Sequence, residues 1–153
     1  MEFEGTPLRS SQLDDIAEAL PRRAALLSRL FLKHTNLGVS RTEIGVLSTA
    51  AEQPQRITEL AALEGVTQPA ISLVVNRLVE RGWVVRESDP DDRRAVLVTL
   101  TADGHQAWSR IRGEYRALLH EEVAALDHDA VEALARAVEV LEELVRRLME
   151  REP

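Results

Sequence analysis

The 153-residue sequence predicts a mainly α-helical chain with one small β-hairpin. Three observations predict it. Apolar residues recur at steps of three and four through most of the chain, the period of a helix with one buried face. Four of these stretches open on a residue suited to capping a helix, namely Ser40, Thr67, Thr101 and Asp127. One clean period-two alternation, Ala95 to Leu100, follows the turn-forming run DPDD at 89–92.

In chain order, Leu13, Ile16, Leu20, Leu27 and Phe31 make Ser11 to His34 an amphipathic helix. Pro21 lies within it; lacking an N–H and disfavouring α geometry at Leu20, it predicts a kink or a break into two segments. SRTE at 40–43 has the Ser-x-x-Glu form of a capping box, and Ile44, Leu47 and Ala51 continue a short helix to about Glu52. QPQR at 53–56 reads as a loop, and ITELAALEG as a second short helix ended by Gly65. Thr67 caps the next helix, with Pro69 in its first turn, where a missing N–H does least harm. Ile71, Val74, Val75 and Leu78 face inward along it, and Gly82 supplies the stop after Arg81. Trp83 to Val85 and Ala95 to Leu100 pair as two strands, with Val96, Val98 and Leu100 on one face. Thr101 then caps a long helix carrying Trp108, Ile111, Tyr115 and Leu118 to about Ala125, and Asp127 caps the last. In that last helix Val131, Leu134, Val138, Leu141, Val145 and Leu148 alternate steps of three and four without a miss.

Composition narrows the function. A chain of this length buries about 68 to 70% of its unfolded surface and needs no staples. The absence of cysteine removes disulfides, thiolate catalysis, Cys-ligated zinc and thiol redox sensing. MEFEGTPLRS lacks the basic and apolar regions of a leader, and no apolar run approaches the ~18 residues of a membrane span, so a soluble, cytoplasmic protein without membrane association is expected. The net charge of −7 argues mildly against nucleic acid at long range. The 19 basic residues are 18 arginines and Lys33, a choice suited to localised, bidentate recognition, although GC-rich coding produces the same bias. No Ser-His-Asp spacing, Gly-rich phosphate loop or HExxH is present, so no enzyme is expected. No cofactor is expected either.

Two short helices joined across Gly65 follow the helix-turn-helix plan, in which the second helix lies in the DNA major groove. Ala61 is small enough for a close crossing, and Ile71 and Val74 pin the second helix to the first. Alone, this arrangement is equally an αα-corner. The hairpin that follows makes it a winged helix, so the full fold class is a mainly α chain with a small β-hairpin wing: a winged helix-turn-helix flanked by long dimerisation helices. One integrated domain is expected, with an N-terminal dimerisation helix at 11–36, the winged module at 40–100 and C-terminal dimerisation helices at 101–151. The long helices leave more apolar surface than one subunit easily covers, which predicts a homodimer.

Asp92-x-Arg94-x-x-x-Val98-x-Leu100-Thr101 resembles the DxRxxxVxLT signature of the MarR (multiple antibiotic resistance regulator) family, and LTADG at 100–104 resembles that family's LTxxG entry to its next helix. The resemblance covers nearly the whole chain. It implies a dimeric transcriptional regulator, usually a repressor, that binds a pseudopalindromic operator in double-stranded DNA and is released by a small, often aromatic or phenolic, effector. It also implies that Arg94, with Arg93 beside it, serves a wing in the minor groove, where a narrow A·T-rich stretch rewards an inserted guanidinium. Asp92 would support the wing tip by pairing with an arginine, Asp89-Pro90 would shape the turn, and Asp89 and Asp91 would otherwise be solvated turn residues.

Base readout is assigned to Gln68, Ser72 and Asn76, with Arg77 on phosphate or guanine, although any of these residues could be a solvated surface group. Arg22, Arg23, His34 and Arg110 are effector-site candidates, as polar residues on helices expected to border the family's ligand cleft. The histidines 34, 105, 120 and 128 form no i, i+3 or i, i+4 pair, which disfavours a metal site of the family's zinc type. The rival from another class is a winged-helix adaptor that binds proteins without binding DNA. Exposed apolar residues on the second helix would favour it.

Overall fold

The computed structural model describes residues 10–35 and 37–151. Residues 1–9, which include most of the segment read as lacking a leader, lie outside them. The chain divides into two units, 1–113 and 114–153. No helix among the described residues is long and apolar enough to cross a membrane.

The first unit begins with α1 (Ser10–His34), which runs through Pro21 as one helix of 25 residues and buries none of them. The expected break does not occur. Proline removes one N–H from the ladder, and on an exposed helix water can serve the carbonyl left over. In α2 (Arg41–Glu52) the capping box forms in both directions: Ser40 N donates to Glu43 Oε2 at 2.6 Å, and Glu43 N donates to Ser40 Oγ at 3.2 Å. The buried face differs from the one expected. Glu43, Val46, Leu47 and Ala50 point inward, and Ile44 and Ala51 are only half-buried. Glu43 thus serves the capping box from the buried face of the helix.

The loop expected at 53–56 contains a short strand, β1 (Gln55–Arg56), which pairs with β3 and makes the sheet three-stranded. After α3 (Ile57–Glu64), Gly65 adopts φ +64°, and its N–H and that of Val66 satisfy the carbonyls of Ala62 and Ala61. A side chain at that φ would be strained, so glycine sets the crossing of the two helices. Thr67 caps α4 (Gln68–Glu80), which buries Ile71, Val74, Val75 and Leu78, and Gly82 follows its end at φ +72°. The strands β2 (Val84–Ser88) and β3 (Val96–Leu100) are antiparallel, with Val84 opposite Leu100 and Ser88 opposite Val96. Sheet order is β1-β3-β2. Val98 and Leu100 join the core as expected, whereas Val96, at the distal end, stays exposed. Leu47, Leu60, Ile71, Val75, Leu78, Val84 and Val98 are fully buried, each contributing about 1.5 to 3 kcal/mol by leaving water.

The helix α5 (Ala102–Ala124) begins in this unit, and the unit boundary falls within it, after Gly113. Thr101 Oγ1 accepts from Gly104 N at 3.0 Å and donates to Gly82 O at 2.6 Å, and Thr101 N donates to Trp83 O at 3.0 Å. Gly104 lies so close to Trp83 O that an added Cβ would collide with it. This close approach is the physical content of LTADG.

The second unit holds the rest of α5 and α6 (His128–Met149), whose cap Asp127 accepts from Ala130 N at 2.8 Å. No residue of α6 is buried; Leu134, Val138, Leu141, Val145 and Leu148 form an exposed apolar face.

Candidate nucleic-acid interface

At 100° per residue, the face of α4 opposite its buried side carries Pro69, Leu73, Asn76, Arg77 and Glu80, with Gln68 and Ser72 on its flank. Gln68, Asn76 and Arg77 are exposed and Ser72 is half-buried. Neighbouring elements steady this face. Arg86 Nη2, on β2, donates to the carbonyl of Ser72 at 3.2 Å. Arg77 Nε approaches Glu43 Oε1 at 3.4 Å. Arg81 Nη2 donates to Gly38 O at 2.9 Å, and its guanidinium lies 4.9 Å from the centre of the Trp83 ring. Burial pushes the Glu43 carboxyl upward, but the Ser40 amide and hydroxyl, with Arg81 and Arg77, outweigh it and hold Glu43 below the ordinary glutamate value. A buried anion under α4 thus orients two of its cations.

The wing tip, 89–95, is closed by its own polar groups. Asp89 N donates to Ala95 O, Ala95 N to Asp92 O, Asp91 N to Asp89 Oδ1 at 2.9 Å, and Arg94 N to Asp92 Oδ1 at 3.0 Å. The arginine pairing expected of Asp92 belongs instead to Asp89, which is only 4% exposed and takes Arg56 Nε at 2.7 Å and Nη2 at 2.5 Å. Asp89 is therefore a clamp and no solvated turn residue; Asp92 supports the tip by accepting the Arg94 amide, and its charge adds to that of Asp89 on the Arg56 guanidinium. The Asp91 amide foremost, then the Arg56 guanidinium, hold the Asp89 carboxyl below its ordinary value against the opposing effect of burial. This pairing has no local signal, because Arg56 lies 33 residues away on a strand of two residues.

Arg93 and Arg94 are exposed, and within the described residues their side chains make no hydrogen bond or ion pair. Arg94 shares a crevice of about 210 Å³ with Gln68, Arg56, Ile57, Thr58, Ala95 and Val96, so the wing tip and the start of α4 meet at one surface.

The effector candidates do not gather. Arg22 and Arg23 border a shallow concavity of α1 itself with Asp15, Glu18 and Ala19, while His34 and Arg110 are exposed on α1 and α5. A larger concavity, about 510 Å³, opens between Ser48, Ala51 and Glu52 of α2 and His105, Trp108, Ser109 and Arg112 of α5. The helical period puts Trp108 among the apolar residues of α5, and the cavity is not legible in the sequence because its two walls lie more than fifty residues apart in the chain. Among the described residues no cluster of His, Asp and Glu could hold a metal ion.

The model of the MarR family matches residues 37–95, the span from just before α2 to the wing tip. An HTH-type transcriptional regulator of Mycobacterium leprae, ML2140, is 28% identical over 121 residues, which cover 78% of this chain and 85% of the relative. Other curated relatives are matched over about half of their own length. Among solved structures, the transcriptional regulator BldR from Sulfolobus solfataricus shares the fold with a TM-score of 0.73 at 24% identity, over 92% of this chain and 99% of that one. CouR from Rhodococcus jostii RHA1, bound to p-coumaroyl-CoA, has a TM-score of 0.63 at 25% identity, over 87% and 95% of the two chains.

Proposed function

We propose that the chain is a winged-helix DNA-binding regulator of the MarR family and acts as a homodimeric, sequence-specific transcriptional repressor released by a small aromatic ligand. The observation that carries the reading is the shared surface of α4 and the wing: exposed Gln68, Asn76 and Arg77 beside an uncommitted Arg94 on a hairpin held by Asp89. In this reading α4 enters the major groove and Arg94 the adjacent minor groove. The uncovered apolar faces of α1 and α6 support the dimer, which sets two recognition helices about 34 to 36 Å apart on a pseudopalindrome. Between Ser40 and Thr101 seven arginines stand against nine acids, so the affinity rests on placement and its salt dependence is shallow.

The cavity between α2 and α5 is the seat proposed for the effector, with Trp108 to stack on a planar ring and His105 and Arg112 to meet an anionic group. CouR, bound to p-coumaroyl-CoA, supports that ligand class. Arg22, Arg23, His34 and Arg110 stay outside this seat.

Fluorescence anisotropy with the duplex upstream of the gene, at two salt concentrations, tests the reading. Saturable binding that needs the palindrome and weakens strongly in Arg94→Ala is expected, with release by aromatic carboxylic acids that is lost in Arg112→Ala. The adaptor reading has one observation in its favour, an exposed Leu73 on α4. Binding indifferent to sequence and to Arg94 would favour it.

A further inference from the structure

Leu73 is the most exposed large apolar side chain among the described residues, at 62%. A lone exposed leucine is ordinary on a protein surface. This one occupies the middle of the face of α4 that points away from the core, one turn after Pro69 and one turn before Asn76 and Arg77. Val79, 40% exposed, lies on the flank with Gln68 and Ser72, so Leu73 is the large apolar side chain at the centre of that face. Leu73 is therefore the residue that must meet whatever α4 docks against.

Resting on the reading of α4 as a recognition helix, we infer that Leu73 is a specificity-determining residue that packs on the C5 methyl group of a thymine in each half-site. The chemistry of the groove selects this partner. Leucine neither donates nor accepts a hydrogen bond, and the base edges in the major groove are otherwise lined by donors and acceptors; the thymine methyl is the apolar group among them. Against a G·C pair the side chain would strip water from guanine O6 and N7 or from the cytosine amino group and return nothing. Against thymine it buries methyl on methyl. Asn76 sits three residues on, about 4.5 Å along the helix axis against about 3.4 Å between neighbouring base pairs, a difference its side chain can span. Asparagine matches adenine N6 and N7, so the two side chains together read adjacent A·T pairs.

The test begins with a duplex recovered by wild-type protein from a randomised pool. Each thymine of its half-sites is then replaced in turn by deoxyuridine, which removes the methyl and keeps the pairing. Wild type is expected to lose about fourfold in affinity per half-site at one thymine position. Leu73→Ala should bind the parent duplex correspondingly less well and should not distinguish thymine from uracil at that position. Leu73 is exposed, so the variant keeps its fold, and an unchanged thermal melt checks this. Saturable binding by wild type with no methyl-sensitive position, or a methyl effect of equal size in Leu73→Ala, overturns the assignment and leaves the DNA-binding reading standing. If the pool yields no duplex bound saturably, both fall, and Leu73 becomes the centre of a protein-docking face.

Discussion

The winged core and the last helix, α6, solve the same problem in opposite ways. Around α2, α3, α4 and the sheet, apolar side chains close on one another, with Leu47, Leu60, Ile71 and Val98 inaccessible to water. Helix α6 is as regularly patterned and buries no residue. Periodicity reports that a face will be covered; it does not report by what. The winged core finds its cover within one chain, so its stability should not depend on protein concentration, whereas α6 requires further surface that the proposed second copy would supply.

The largest effect should come from breaking α6. Leu141→Glu with Val145→Glu puts charges on the face proposed to be buried between copies, at about 3 kcal/mol or more per uncompensated buried charge. Sedimentation should show a monomer where the parent is a dimer, with the winged core still folded by circular dichroism. Gly104→Ala attacks the other region. The new Cβ meets a backbone carbonyl that cannot move freely, and Leu100 Cγ at 3.2 Å, so a loss of about 1 to 3 kcal/mol is expected in denaturant melts, independent of concentration.

Asp89→Asn should act more locally, weakening DNA binding severalfold in anisotropy while barely moving the melt. Because the folded state holds the Asp89 carboxyl below its ordinary value of 3.8, its contribution is present above that pH and is lost as pH falls through the lower, folded value. The smallest effect is Glu64→Gln. Burial raises the Glu64 carboxyl, with Arg41 partly offsetting it, so its ionisation opposes folding. The favourable contribution of the protonated form exists below the ordinary glutamate value and disappears as pH rises through the raised one. The variant should therefore melt slightly higher than the parent at pH 7 and no higher at pH 4.

What was legible in the sequence was local. Ser40 with Glu43, Thr67, Thr101 and Asp127 announce helix starts because cap and amide are three residues apart or fewer. Gly65 and Gly82 announce ends because few other residues tolerate their φ. What escaped depends on partners distant in sequence. Gln55 and Arg56 form a strand only because β3 lies alongside, and Asp89 leaves the solvent only because Arg56 meets it there. Glu43 faces inward for the same kind of reason, with Arg77 and Arg81 brought over it by α4. The site followed the same division: the helix and hairpin that carry the polar residues could be read, and the pairings that orient them could not.

Residues 82–83 and 101–104 form a vertex. Gly82 closes α4, Trp83 leads into the wing, and the first turn of α5 is bolted to both by the Thr101 hydroxyl, the Thr101 amide and the side-chain-free flank of Gly104. The three elements share a joint with no slack residue between them. A twist of the start of α5 is thereby delivered at once to the base of the wing and the end of α4, as a crank turns two arms on one axle.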